Sequence, residues 1–105
     1  MATAGRGRKA GQGSKWVRPT TRLAIYLRDG MACAYCAATV EESARLTLDH
    51  VLPCELGGTN AATNLVTACL SCNSAKQALP LRRFLAVLAD RAIDPEEVSA
   101  RIRRQ

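Results

Sequence analysis

Large aromatic side chains, which usually fill a protein core, are scarce in this chain. Its 105 residues include one Phe, two Tyr, one Trp and a single histidine. A chain of this length forms one small domain with a thin apolar core, so a stabilising element such as a structural metal ion is expected. No apolar run approaches the roughly 18 residues that span a bilayer, and no membrane partner is predicted.

The N-terminus also lacks the apolar core of a signal peptide, while the five cysteines form an odd set that contains two CxxC pairs. These features indicate a reducing compartment and metal binding rather than disulfides. A soluble cytoplasmic protein is therefore expected. Two disulfides are the weaker alternative.

Acidic residues are outnumbered, with nine Asp and Glu against fifteen Lys and Arg, which gives a formal net charge of +6. Twelve of the fifteen are arginine, the residue suited to bidentate phosphate contacts, so a polyanion is the expected partner. Four basic residues and no acid lie within residues 1–15. We predict that residues 1–18 form a disordered basic arm, which either contacts phosphates or is simply a solvated tail.

The remaining chain predicts helices and short strands in an α+β order. A threonine cap at Thr20 or Thr21 should begin a helix that Gly30 ends. Strands are predicted over residues 45–51, ended by Pro53, and over residues 65–68. Helices are predicted from about Ser71 to Leu79, over residues 80–91, and from an Asp94 cap to about Arg103.

Four of the cysteines fall into the two pairs, and four thiolates form the tetrahedral ligand set of closed structural zinc sites. The proposed ligands are Cys33, Cys36, Cys69 and Cys72. The fifth, Cys54, is expected to pack as a small apolar residue. Tyr35, inside the first pair, either stacks on a nucleic-acid base or packs around the knuckle, and packing is the preferred interpretation.

Asp49 and His50 stand together at the end of the first predicted strand, between the two cysteine pairs. Alone, such a pair often marks only a polar strand end. Asn73 and Lys76, three residues apart on one helix face, make a shared site more plausible. Oxygen donors from Asp49 and Asn73 suit a hard divalent ion, which leaves the imidazole of His50 free to act as a base.

Together these motifs resemble the HNH endonuclease family, over roughly residues 22–79. In chain order they are Cys33 and Cys36, Asp49-His50, Pro53, Gly57-Gly58, Asn64-Leu65, Cys69, Cys72-Asn73 and Lys76. The resemblance implies an α+β fold: a small ββα-metal (His-Me finger) core with a structural zinc knuckle, flanked by an N-terminal helix and two C-terminal helices. The predicted HNH domain covers residues 19–79, and residues 80–105 are a helical extension of it.

Carried over to this chain, the resemblance implies that His50 is the general base of a DNA endonuclease that leaves 5′-phosphate and 3′-hydroxyl ends. Asp49 and Asn73 would hold Mg²⁺ or Mn²⁺, with other divalent ions such as Ni²⁺ as alternatives. Asn73 stands where many members have histidine, which makes this an HNN variant. Asn64 resembles the residue that ties the loop between the strands.

Lys76, Arg82 and Arg83 are the candidate DNA-contacting residues. Small proteins of this family resemble phage and prophage nucleases that assist DNA packaging, with a terminase or another targeting protein as the expected partner, in a bacterial or phage-infected cell. Restriction and mobile-element roles fit equally. The alternative function is a non-catalytic zinc module that binds nucleic acid, which would not need Asp49, His50 and Asn73 together.

Overall fold

A computed structural model describes residues 17–103, and its framework is a two-stranded antiparallel sheet with four α-helices. The helices are α1 (Pro19–Arg28), α2 (Leu70–Lys76), α3 (Leu81–Asp90) and α4 (Pro95–Arg103), and the strands are β1 (Leu46–His50) and β2 (Leu65–Cys69). The predicted ββα core with flanking helices is confirmed. The predicted basic arm, apart from its last two residues, lies outside the described part of the chain.

The strands pair so that the first residue of β1 meets the last residue of β2: Leu46 lies opposite Cys69, and His50 lies opposite Leu65. All five residues of β2 are buried. Helix α2 follows β2 without a loop and has Cys69 as its N-cap residue. This order places α2 against β1, so the strand that ends in Asp49-His50 and the helix that carries Asn73 are neighbours.

Two groups of buried side chains form the core. The larger group joins the cysteine-bearing segments to α3 and α4 through Phe84, Leu88 and Val98. The smaller group lies under α1 and consists of Val17, Ile25, Leu48 and Leu65. The C-terminal helices therefore share one core with the cysteines, as a helical extension of the same domain would.

The helix ends differ in detail from the sequence predictions. The threonine cap is wrong: α1 begins at Pro19, with Arg18 as the cap residue and no side-chain cap bond. Proline is suited to this first position because its fixed φ matches the helix and its missing N–H would have no partner there. Helix α2 ends at Lys76, before the predicted end at Leu79, because Gln77 takes a positive φ of 50°.

The other boundaries follow the predicted signals. Helix α1 ends at Arg28, and Gly30 then turns the chain with a φ of 73°. At the start of α4, the Asp94 carboxylate accepts a hydrogen bond from the Glu96 backbone N–H at 2.9 Å. None of the helices within residues 17–103 combines the length and apolarity needed to cross a membrane.

Candidate active site and metal centre

Both cysteine pairs form the same kind of local turn. The Cys33 thiol sulfur accepts hydrogen bonds from the backbone N–H groups of Tyr35 (3.3 Å) and Cys36 (3.4 Å). In the second pair, the Cys69 sulfur accepts one from the Cys72 N–H at 3.4 Å. Such bonds favour the thiolate, which is the form that binds metal.

The four sulfur atoms converge within 4.8 Å of one another. The Sγ atoms of Cys36 and Cys69 are 3.7 Å apart, close to the edge of about 3.8 Å that a tetrahedron with Zn–S bonds of about 2.3 Å would have. All five cysteines are free thiols. The predicted set of Cys33, Cys36, Cys69 and Cys72 thus has the chemistry and spacing of a structural zinc site, while Cys54 lies apart from it.

Protons are distributed unequally among these thiols. Hydrogen bonding with Cys72 lowers the pKa of Cys33 to about 5, whereas burial raises the pKa of Cys36 to about 11. The hydrogen bond with Cys33 raises the pKa of Cys72 above the usual thiol range. Cys33 therefore gives up its proton more readily than Cys36 or Cys72, and zinc binding must displace the protons that the thiols still hold.

The Asp49 carboxylate lies inside the protein, with 4% of the residue exposed. Its Oδ2 atom accepts a hydrogen bond from the Tyr35 hydroxyl at 2.5 Å and lies 3.0 Å from the Lys76 ammonium. Burial raises the pKa of Asp49, while Lys76 and Tyr35 act in the opposite direction. Burial and the neighbouring Asp49 raise the pKa of Tyr35 well above its usual range. The phenol therefore keeps its proton and acts as the donor of the hydrogen bond.

Tyr35 joins this site to the zinc knuckle. It lies between the two cysteines of the first pair and is fully buried, with its ring perpendicular to Phe84 at a centroid distance of 5.1 Å. Packing, rather than stacking on a base, is the role that this burial permits. Arg101 of α4 donates to the backbone oxygens of Ala34 (2.9 Å) and Tyr35 (3.0 Å), which holds the turn from its other side.

The prediction that Lys76 contacts DNA is wrong. Its side chain is completely buried, and its Nζ atom donates to the His50 backbone oxygen at 2.9 Å in addition to pairing with Asp49. Because α2 packs on β1, its inner face points Lys76 into the protein. Arg82 and Arg83 are both exposed in the first turn of α3, and their DNA contacts stay a prediction.

His50 ends β1 and is 1% exposed. Its Nε2 atom lies 2.8 Å from Oδ1 of Asn60 and 3.3 Å from Sγ of Cys54. Asp49 contacts Tyr35 and Lys76 instead, so the two adjacent side chains have separate partners. Neither Asn60 nor the contact of Cys54 with the histidine was predicted, because the loop path that brings them to His50 leaves no local pattern.

Asn64 closes that loop. Its side-chain oxygen accepts from the Leu52 N–H at 2.9 Å, and its amide nitrogen donates to the backbone oxygens of Leu52 (3.1 Å) and Thr59 (2.8 Å). Gly58 is needed for the tight fit, since a Cβ atom there would lie 1.7 Å from the Leu52 oxygen. The loop that leaves β1 at His50 is thereby folded back toward it.

Asn73 projects from α2 onto β1. Its Nδ2 atom donates to the Thr47 hydroxyl at 2.8 Å and to the Leu48 backbone oxygen at 3.2 Å. The amide nitrogen is thus engaged by the strand, which leaves the amide oxygen as the atom suited to a metal ion. In the same way, Tyr35 and Lys76 both contact Asp49 at Oδ2, so the other carboxylate oxygen is the one considered for the metal ion. One oxygen from each residue makes a hard donor set that suits Mg²⁺ or Mn²⁺.

Comparison with known proteins identifies the family. A family model described as HNH endonuclease matches residues 33–85, the segment that holds both cysteine pairs and the Asp49-His50 and Asn73 positions. The type II-C Cas9 enzyme from Actinomyces naeslundii is structurally similar, with a TM-score of 0.58 and 32% identity over 79% of this chain, although only 8% of the Cas9 chain is covered. No curated protein matches. With half of its length matched by the family model, this chain belongs to the HNH endonuclease family.

Proposed function

We propose that this protein is a metal-dependent DNA endonuclease that hydrolyses phosphodiester bonds with His50 as general base and leaves 5′-phosphate and 3′-hydroxyl ends. The observation that carries the proposal is the placement of the chain's single histidine. It ends β1 beside Asp49, and Lys76 binds its backbone oxygen. Family membership supports nuclease activity in general, and the basic charge suits a DNA substrate.

His50 has the chemistry that the first step needs. A neutral imidazole can take a proton from a water molecule aligned with the phosphorus atom. The Lys76 bond to its backbone oxygen and the Asn60 contact to its ring restrain both ends of the residue. A restrained base keeps its geometry toward the attacking water.

Asp49 and Asn73 would hold the divalent ion, which supplies Lewis-acid stabilisation of the charge that develops on the phosphate oxygens. In both residues the protein holds the side-chain atom that would not bind the metal. Tyr35 and Lys76 bind Asp49 through Oδ2, while Thr47 and Leu48 bind Asn73 through its amide nitrogen. Preformed orientation of this kind lowers the reorganisation needed when metal and substrate bind.

DNA contacts are proposed for Arg82 and Arg83. Both are exposed in the first turn of α3, where the helix dipole disfavours cations, so their presence there supports binding to an anion. Residues 19–79 would form the catalytic unit, with residues 80–105 as an extension that shares its core. The phage setting, the terminase partner and the cytoplasmic location stay predictions.

The test is cleavage of supercoiled plasmid in the presence of magnesium, manganese or nickel, with wild-type protein and His50→Ala compared after both are shown to retain zinc. Metal-dependent nicking that is lost in His50→Ala is the expected result, with a decrease of about 10²–10⁴ for removal of a general base. Equal activity in both proteins would indicate a contaminant. Absence of cutting by either, with zinc and DNA still bound, would favour the non-catalytic zinc module.

A further inference from the structure

We propose that Asn60 is a positioning residue that sets the tautomer of His50, so that Nδ1 is the nitrogen that accepts the proton of the attacking water. This inference rests on the proposed role of His50 as the general base. It adds Asn60, a residue outside the motif that identifies the family, to the groups that prepare His50 for catalysis.

The contact itself determines the tautomer. Oδ1 of Asn60 lies 2.8 Å from Nε2 of His50, a distance typical of a good hydrogen bond. A carboxamide oxygen has lone pairs but no hydrogen, so Nε2 must be the donor. A neutral imidazole carries one N–H, and its lone pair is then on Nδ1. Asn60 therefore selects which ring nitrogen is basic.

Cys54, the second neighbour of Nε2, is compatible with this assignment. Its sulfur lies 3.3 Å from Nε2, and a thiol is both a weak donor and a weak acceptor. Against a protonated Nε2 the sulfur can only accept. The amide oxygen is the stronger acceptor and the closer atom, so Asn60 decides the tautomer and Cys54 adapts to it.

The loop is built to hold Asn60 in this place. Asn64 binds the Thr59 backbone oxygen at 2.8 Å, one residue before Asn60, and also binds both backbone groups of Leu52. The Val51 N–H donates to the backbone oxygen of Asn64 at 2.9 Å, which continues the strand pairing beyond β1. The family-motif residue Asn64 thus acts on the histidine through the loop that presents Asn60.

The single histidine of the chain makes the tautomer directly measurable. In protein with ¹⁵N-labelled histidine, at a pH where the spectrum itself shows the ring to be neutral, long-range couplings from the ring protons distinguish the two nitrogens. Wild-type protein is expected to show protonated Nε2 and unprotonated Nδ1. The Asn60→Ala protein should show a mixture of tautomers with faster exchange of the ring N–H.

Two further variants separate the hydrogen bond from loop stability. Asn60→Asp keeps an acceptor oxygen and should keep the wild-type tautomer. Thr59→Ala removes only a 3.3 Å side-chain contact with the Ala61 N–H in the same loop and should leave the histidine spectrum unchanged. All variants are compared with zinc bound.

In plasmid nicking, Asn60→Ala should lower kcat about tenfold, a part of the 10²–10⁴ that a general base contributes, while KM stays within about twofold. Asn60→Asp should restore kcat to within about threefold of wild type, and Thr59→Ala should match wild type within about twofold. A kcat decrease common to Asn60→Ala and Thr59→Ala would show that only the loop's stability matters, which overturns the inference.

Failure of the inference is distinguishable from failure of the proposed function. Wild-type protein with the proton on Nδ1, or an Asn60→Ala spectrum identical to wild type, would refute the inference and leave the nuclease proposal untouched. A His50→Ala protein that cuts DNA as well as wild type would refute the proposed function, and with it any catalytic role for Asn60, whatever the tautomer.

Discussion

A single carboxylate oxygen, Oδ2 of Asp49, links the two halves of the candidate site. Tyr35 reaches it from the cysteine turn, and Lys76 reaches it from α2. Both donors are completely buried. A buried carboxylate is stable only when paired and hydrogen-bonded, so these two side chains are the condition under which Asp49 can occupy this position.

Tyr35→Phe removes the hydroxyl and keeps the ring that packs on Phe84. We expect the free energy of unfolding to fall by about 1.5–3 kcal/mol, the range for a hydrogen bond to a charged group. Urea denaturation of the zinc-loaded protein measures it. The control is Tyr26→Phe, whose half-buried hydroxyl donates at 3.2 Å to the Leu46 backbone oxygen and accepts from Arg22 at 3.3 Å; these longer contacts should cost about 0.5–1.5 kcal/mol. Equal losses would contradict a special role for the bond to Asp49.

Lys76→Met leaves a buried carboxylate without its cation. The expected loss in unfolding free energy is about 3–5 kcal/mol, as for other broken buried ion pairs. The double variant Asp49→Asn with Lys76→Met should recover part of it, because no uncompensated charge remains. Arg83→Met, at an exposed position, is the control and should stay within about 0.5 kcal/mol of wild type. A Lys76→Met loss as small as the control's would refute the buried pair.

At the scale of elements, the short helix α2 has two jobs. Its first turn contains the second cysteine pair, and its inner face carries Asn73 and Lys76 to β1. Helix α3 presents the exposed arginines, and α4 holds the cysteine turn through Arg101.

Replacing Arg82 and Arg83 together by Ala should weaken DNA binding to all sequences alike, because phosphate contacts carry no sequence information. The slope of log affinity against log salt concentration should decrease by about 2, since each arginine removed would leave one phosphate un-neutralised. Fluorescence anisotropy with duplex DNA at several salt concentrations measures both quantities. The control is Arg91→Ala, which removes one positive charge just beyond the other end of α3 and therefore shows the effect of losing one arginine from outside the proposed interface. A double variant with an unchanged slope would remove these arginines from the interface.

At the scale of the whole molecule, the cysteine cluster lies where most elements meet. The described core around Cys33, Cys69 and Cys72 also includes Phe84, Leu88 and Val98. Large side chains are few. A metal ion that joins the β2–α2 junction to the turn containing Cys33 and Cys36 would therefore supply much of the fold's stability.

Removal of zinc with a strong chelator is therefore expected to unfold the protein, and added zinc to refold it. Circular dichroism together with metal analysis follows both steps. Cys36→Ala should lose the metal and the cooperative thermal transition, whereas Cys54→Ala should bind as much zinc as wild type, since Cys54 lies outside the cluster. A chelated protein that melts cooperatively at the same temperature would show that zinc is not structural.

Much of the fold and the site followed from local spacing. The two CxxC pairs, the strand that carries Asp49 and His50, the Asp94 cap and the helix that follows Pro80 were all recognisable in the sequence and agree with the structure. These features depend on residues within a few positions of one another, where backbone geometry alone decides what is possible. The family and its ββα core were predicted for the same reason.

Only the tertiary structure decided which way the long polar side chains point. Nothing in the local sequence distinguishes Lys76 from a lysine that contacts DNA, yet packing of α2 on β1 buries it against Asp49. Tyr35 and Asn60 reach Asp49 and His50 across separations of 14 and 10 residues. Contacts of this kind depend on how separate elements pack and how a loop returns, so the sequence by itself determined the ligand types and their order, while packing determined their partners.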